Sequence, residues 1–192
     1  MISECIDVLN NIEIKDVDSI ADILDTVRAN NGRLFIIGSG GGAGHASHAV
    51  CDFRKLCNIE AYAPYDNVSE MTARINDEGF ETSIENWLKV SKLNCNDCVF
   101  VFSVGGGNEE NKISENIVRA VKLAKSRNAK IAGIVGKDGG FTKKEGDAVL
   151  VVPTVNINHI TPITEGFQAL IWHILVSHPK LQVNPAKWES VI

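Results

Sequence analysis

Arg33-Leu34-Phe35-Ile36-Ile37-Gly38-Ser39-Gly40-Gly41-Gly42-Ala43-Gly44 sets a short apolar run directly against a glycine-rich turn. An apolar run of this length reads as a strand covered on both faces, and the glycines read as a tight exit into a helix. The pattern recurs along the chain. Apolar runs at Arg33–Ile37, Ile59–Ala63, Val99–Phe102, Lys130–Val135 and Ala148–Val152 alternate with amphipathic stretches near Gly42–Leu56, Ile84–Leu93 and Ile113–Ser126. Five strands interleaved with helices predict an α/β fold, a five-stranded parallel sheet flanked by helices on both faces. A closing helix from Pro162 to about Ser177 carries Pro in its first turn and an apolar stripe at Ile163, Phe167, Leu170, Ile171 and Ile174.

The chain has 192 residues, 44% of them apolar and 22% charged, enough for one domain with a full core. The expected division is an acidic helical segment over 1–31, an α/β core over 33–177 and an arm lying along the surface over 178–192. The net charge of −5 arises entirely in the first 30 residues, where Lys15 and Arg28 face Glu4, Asp7, Glu13, Asp16, Asp18, Asp22 and Asp25. These acids read as the solvated face of a helix with Ile20, Ile23, Leu24 and Val27 inside, capped by Asp16 or Asp18 and ended by Asn30-Asn31-Gly32. Such a balance lacks the basic footprint that nucleic acid needs. No apolar run approaches the roughly 20 residues that span a bilayer, and the start carries no signal-peptide pattern, so a cytoplasmic location is expected. The five cysteines are odd in number and scattered, which predicts reduced thiols, and Cys95-Asn96-Asp97-Cys98 reads as a turn before a buried strand.

Two glycine-rich turns follow strands: Gly38–Gly44, and Ser103-Val104-Gly105-Gly106-Gly107-Asn108. Strand C-termini are where open α/β sheets bind ligands, and glycines let backbone N–H groups approach an anion. Gly38-x-Gly40-x-x-Ala43 also fits a dinucleotide fingerprint, but the acid expected after the second strand to hold a ribose is missing there. A polar cluster accompanies the turns. His45, His48 and Asp52 share one helix face, with His48 and Asp52 spaced to grip one metal ion, and Glu165 and His173 interrupt the apolar closing helix.

The first glycine turn with His48 and Asp52, Asn76-Asp77-Glu78-Gly79-Phe80, Ser103 before its glycines, Gly136-Lys137-Asp138-Gly139-Gly140 and Glu165…His173 occur in one order. In that order they resemble the phosphoheptose isomerases of the sugar isomerase (SIS) family over about residues 33–176. The resemblance implies the SIS fold, Rossmann-like or flavodoxin-like. It also implies a zinc-dependent aldose–ketose isomerase that converts sedoheptulose 7-phosphate to D-glycero-D-manno-heptose 7-phosphate for surface polysaccharide. It implies a homotetramer. Mapped by motif, His48, Asp52, Glu165 and His173 are the expected metal ligands, and Asp52, Glu165 and His173 the catalytic groups. Ser39, Gly40, Gly41, Gly42, Asp77, Ser103, Gly105, Gly106, Gly107 and Asn108 are expected to bind substrate. The chain departs from the family pattern, with Asp52 in place of Glu, Glu165 in place of Gln, and Gly42, Gly105 and Asn108 where serines are usual. The alternative is a non-catalytic SIS module that senses a sugar phosphate or bridges partners.

Isomerisation through an enediol needs a base between C1 and C2, a hydroxyl-proton shuttle and charge stabilisation, which a carboxylate, a histidine and a metal supply. Asp52 withdraws its carboxylate by roughly 1.5 Å relative to Glu, and Glu165 is the expected compensator. A Val at Gly106 is expected to weaken phosphate binding far more than stability. Glu165 and His173 are about 12 Å apart along one helix, which predicts a site assembled from two chains.

Overall fold

The computed structural model describes residues 1–191. Helices α1 (Ile2–Asn11) and α2 (Ile14–Ala29) precede strand β1 (Arg33–Gly38), followed by α3 (Gly41–Cys57) and β2 (Glu60–Tyr62). A short 3-10 turn (Pro64–Asp66) leads to α4 (Val68–Glu78) and α5 (Phe80–Val90). Then come β3 (Cys98–Ser103), α6 (Glu115–Ser126), β4 (Lys130–Val135), α7 (Gly140–Glu145) and β5 (Ala148–Val151). A 3-10 turn at Ile157–His159 starts α8 (Ile160–Val176), and α9 (Lys187–Ser190) lies in the C-terminal arm.

All four strand pairings are parallel, in the order β2-β1-β3-β4-β5, as the alternation of strands and helices predicts. Every residue of β3 is buried, which is why its first five residues are an unbroken apolar run. The strands sort their side chains by parity. Leu34, Ile36, Cys98, Phe100 and Phe102 join the core under α1, α2, α3 and α8. Phe35, Ile37, Val99 and Val101 join the opposite core under α5 and α6. In this strand order the direction of chain progress reverses between β1 and β3. Both glycine turns leave the sheet at that point, so their backbones face one crevice.

Four local expectations are corrected. The acidic segment is two helices, and the N-cap of α2 is Glu13, without a side-chain cap bond, so Asp16 and Asp18 lie inside the helix rather than capping it. Several acids are also engaged: Glu4 accepts from Asn156 Nδ2 at 2.6 Å and lies 2.8 Å from His159 Nδ1, and these bonds hold its carboxyl down at about 2. Helices α4 and α7 are additional to the expected set, one being polar and the other only six residues long. On α8, Leu170 and Ile174 do not join the buried stripe: they are 41% and 45% exposed, while Ile163, Phe167, Ile171 and Leu175 face the core.

The turn at Cys95–Cys98 is built around the residue between the cysteines. Asp97 is 1% exposed; it accepts from Arg33 N, Nε and Nη2 and from Asn94 N, locking the start of β1 to the start of β3. Cys98 is buried, which raises its thiol pKa, and Cys95 is exposed, so the pair is a structural turn with free thiols. The C-terminal arm lies along the body. Leu181 is fully buried, Arg28 donates to the carbonyls of Lys180 and Leu181, and the Val183 and Asn184 N–H groups donate to Leu56 O.

Candidate active site

Tyr65 fixes the entry to the first glycine turn. Its hydroxyl donates to Gly38 O and accepts from Gly38 N at 3.2 Å, and burial pushes the phenol up to about 12, so it stays protonated in this role. Beyond it, α3 starts at Gly41. A β-carbon on Gly42 would collide with the Phe102 carbonyl, and one on Gly41 would collide with the Glu165 carboxylate. Glu165 thus lies over the N-terminal end of α3, where the helix dipole favours a negative group. The first anion at this turn belongs to the protein itself.

Ser39, on the same turn, accepts from Asn116 Nδ2 at 3.0 Å. Asn116 is in the first turn of α6 and is 1% exposed. Its Oδ1 is the one buried side-chain polar atom without a hydrogen-bond partner among the described residues. Ser114, the N-cap of α6, sits beside the second glycine turn because Asn108 and Ile113 pair in an antiparallel bridge that pinches off residues 109–112. Ser114 and Asn116 are not among the residues that the sequence singles out. The signal is available in Ser114-Glu115-Asn116 at a helix start, but the contact with Ser39 spans 77 positions and appears only in the fold.

The second turn is partly consumed by its own packing. Ser103 Oγ accepts from Gly106 N at 3.0 Å, and Asn108 N donates to Ile113 O at 2.9 Å. Gly106 O accepts from Thr142 N and Oγ1, and Gly107 O accepts from Phe141 N, fastening the turn to α7. Gly106 has φ of 67°, and a β-carbon there would collide with Gly139 O. The sequence-based expectation for Gly106→Val is therefore reversed. Steric overlap and left-handed backbone together should destabilise that variant by ~3 kcal/mol or more, a loss that thermal denaturation would register before any binding assay. Asp77 lies on the exposed surface of α4, accepting from Asn76 Nδ2 at 2.7 Å.

The polar faces of α3 and α8 meet outside the sheet. His48 Nε2 is 3.6 Å and His173 Nδ1 is 3.4 Å from Asp52 Oδ2, and the three ligand atoms all lie within 4.8 Å of one another. Donors around a small tetrahedral cation lie about 3.4 Å apart, so the two spacings to Asp52 are compatible with three residues that could hold one ion. The two histidines are 59% and 52% exposed and Asp52 16%, leaving the outer position open. Trp172 Nε1 donates to Asp52 Oδ2 at 3.1 Å. His45, although on the same helix face, is drawn aside. Buried Gln168 donates through Nε2 to Ile134 O, so its Oε1 accepts from His45 Nδ1 at 3.2 Å. Glu165 and His173 are both in the continuous helix α8, eight residues apart, and within one chain Glu165 stands at the glycine turn rather than with the three donors.

No protein-family profile matches the chain. The phosphoheptose isomerase of a Nitratiruptor species is 31% identical over 153 residues, covering 77% of this chain and 76% of that protein. The chain belongs to the phosphoheptose isomerase family. The lincomycin biosynthesis protein LmbN of Streptomyces lincolnensis is also 31% identical, over 167 residues covering 81% of this chain, and the chain spans 58% of its length. The fold is shared with solved phosphoheptose isomerases from Neisseria gonorrhoeae and Francisella tularensis. The first has a TM-score of 0.78 at 22% identity, covering 92% of this chain and 93% of that one. The second has a TM-score of 0.75 at 24% identity, covering 92% and 90%. This member of the phosphoheptose isomerase family carries a His-Asp-His donor set on α3 and α8. No helix among the described residues is long and apolar enough to cross a membrane.

Proposed function

We propose that the protein is a sugar-phosphate isomerase that interconverts sedoheptulose 7-phosphate, or a closely similar ketose phosphate, and its aldose through an enediol. For sedoheptulose 7-phosphate the product is D-glycero-D-manno-heptose 7-phosphate, a precursor for surface polysaccharide. The observation that carries this reading is the spacing of His48, Asp52 and His173 in a chain of the phosphoheptose isomerase family. The non-catalytic alternative is disfavoured by the same donor set, since sensing a sugar phosphate does not require three metal-type donors with an open outer position. The whole chain acts as one SIS domain, with free cysteines suited to the cytoplasm.

Zinc is the divalent ion these donors suit, and it would supply charge stabilisation for the enediolate when bound. Asp52 is the base that moves the proton between C1 and C2, and His173 moves the hydroxyl proton. Phosphate is held at the crevice between β1 and β3, by Ser39, Ser114 and the amides of Gly105 and Gly107. Gly106 and Asn108 have their N–H groups engaged within the turn and shape it instead. The unpartnered Oδ1 of Asn116 suits a sugar hydroxyl as donor. Asp77 belongs to the substrate-binding set only through the family motif.

Glu165 joins the chemistry as a residue of a neighbouring subunit in a homotetramer. The exposed histidines and the exposed Leu170 and Ile174 beside them give α3 and α8 a face suited to burial against another copy. The test is to incubate zinc-loaded protein with sedoheptulose 7-phosphate and related ketose phosphates and follow aldose signals by NMR. Conversion of one of them is expected, and no conversion of any would reject the isomerase reading.

A further inference from the structure

The carboxylate of Asp52 is one methylene shorter than that of the Glu usual in the family, and Glu165 of the same chain cannot make up the difference from its place over Gly41. Another residue stands where the support is needed. Trp172 is 2% exposed; its indole plane stacks on Phe102, with ring centroids 5.9 Å apart at 19°. The rings of His45, His48 and His173 lie around it, with centroids 5.1, 5.3 and 5.0 Å away. Its single polar atom, Nε1, donates to Asp52 Oδ2, the same oxygen from which both histidine nitrogens are 3.4–3.6 Å distant.

We propose that Trp172 is a positioning residue: its indole N–H fixes Asp52 Oδ2 between His48 and His173 and so adapts the site to a carboxylate shorter than Glu. The reasoning is geometric. Even a half-buried aspartate has rotamers that point its carboxylate away from His48 and His173, and a metal would have to select one of them on binding. A rigid, buried donor removes that choice beforehand. The indole is held by its burial and by the three imidazoles around it, so its position does not depend on the Phe102 stack alone. A tryptophan inside an apolar helix segment, Leu170-Ile171-Trp172-His173-Ile174, is thereby explained by its polar edge as well as by its bulk. Hydrogen bonds of this kind, one step removed from the metal, typically govern affinity by 10–100-fold.

The proposal rests on the metal-dependent reading above. Apo protein is titrated with Co2+, following ligand-field absorption and calorimetric heat, for the wild type, Trp172→Phe and Phe102→Leu. Trp172→Phe keeps an aromatic ring but loses the donor. Phe102→Leu loosens the same stack and leaves the hydrogen bond. The expected result is a 10–100-fold weaker Co2+ affinity with a shifted ligand-field band for Trp172→Phe, and affinity within about twofold of wild type for Phe102→Leu. Circular dichroism and thermal midpoints report folding for both. A folded Trp172→Phe protein that binds Co2+ as tightly as wild type overturns the proposal. Equal weakening by Phe102→Leu and Trp172→Phe also overturns it, because packing would then be the cause. A wild-type protein that takes up no Co2+ overturns the metal reading and this proposal together.

Discussion

Asp52→Asn should lower kcat for the isomerisation by about 10²–10⁴-fold while leaving the fold intact, because it removes the proposed base at almost constant shape. The side chain is half-buried and its one direct hydrogen bond within the core comes from Trp172 Nε1. An amide oxygen can accept that bond as the carboxylate does. The variant therefore keeps the local packing and loses the charge. Its affinity for zinc should fall as well, since two neutral imidazoles and an amide make a poorer set of donors for a divalent ion than two imidazoles and a carboxylate. Steady-state kinetics on metal-replete protein separates the two losses: saturating zinc restores what is due to occupancy and leaves what is due to the missing base. Unchanged kcat at saturating zinc would remove Asp52 from the proton transfer and leave it as a ligand alone.

The parts of this reading that the sequence carries are those encoded in contiguous residues. The β3 segment is apolar at each of its first five positions because both its faces are covered, so its burial and its parallel neighbours follow from six residues. The i, i+4 spacing of His48 and Asp52 puts two donors on one turn of helix, which is again a local fact. Sequence is a weaker guide wherever a residue's role depends on a partner far along the chain. Asp97 reads as a turn residue until Arg33 is seen against it, and Asn116 reads as one more polar residue at a helix start until Ser39 is. Trp172 counts as core by hydropathy, and only the placement of α3 against α8 shows what its nitrogen does. The second glycine turn fails in the other direction. Its glycines suggest a ligand cradle, whereas Gly106 is required by the close approach of Gly139. Glycine runs report backbone crowding, and whether the crowding is caused by a ligand or by another loop is settled by tertiary packing.

Mixing two inactive proteins, Glu165→Ala and His173→Ala, should restore activity if the site is shared as proposed. His173 stands with His48 and Asp52 of its own chain, and Glu165 of that chain stands over Gly41, beside the crevice proposed for phosphate. They are eight positions apart on α8, which separates them by about 12 Å along the helix axis. The helix is continuous from Ile160 to Val176, so no break brings them together. A site that uses both must therefore take Glu165 from one subunit and His173 from another. In a statistical 1:1 mixture, about one site in four would pair an intact Glu165 with an intact His173, so hybrids should regain roughly a quarter of wild-type activity. Subunit exchange is checked by mass spectrometry of differently tagged chains under native conditions. Neither parent should be active alone. Exchanged hybrids with no activity would show that the site lies within a single chain, and a fully active monomer would lead to the same conclusion. In that case Glu165 acts at the glycine turn of its own subunit, where its carboxylate stabilises the N-terminus of α3, and catalysis rests on Asp52 and the two histidines.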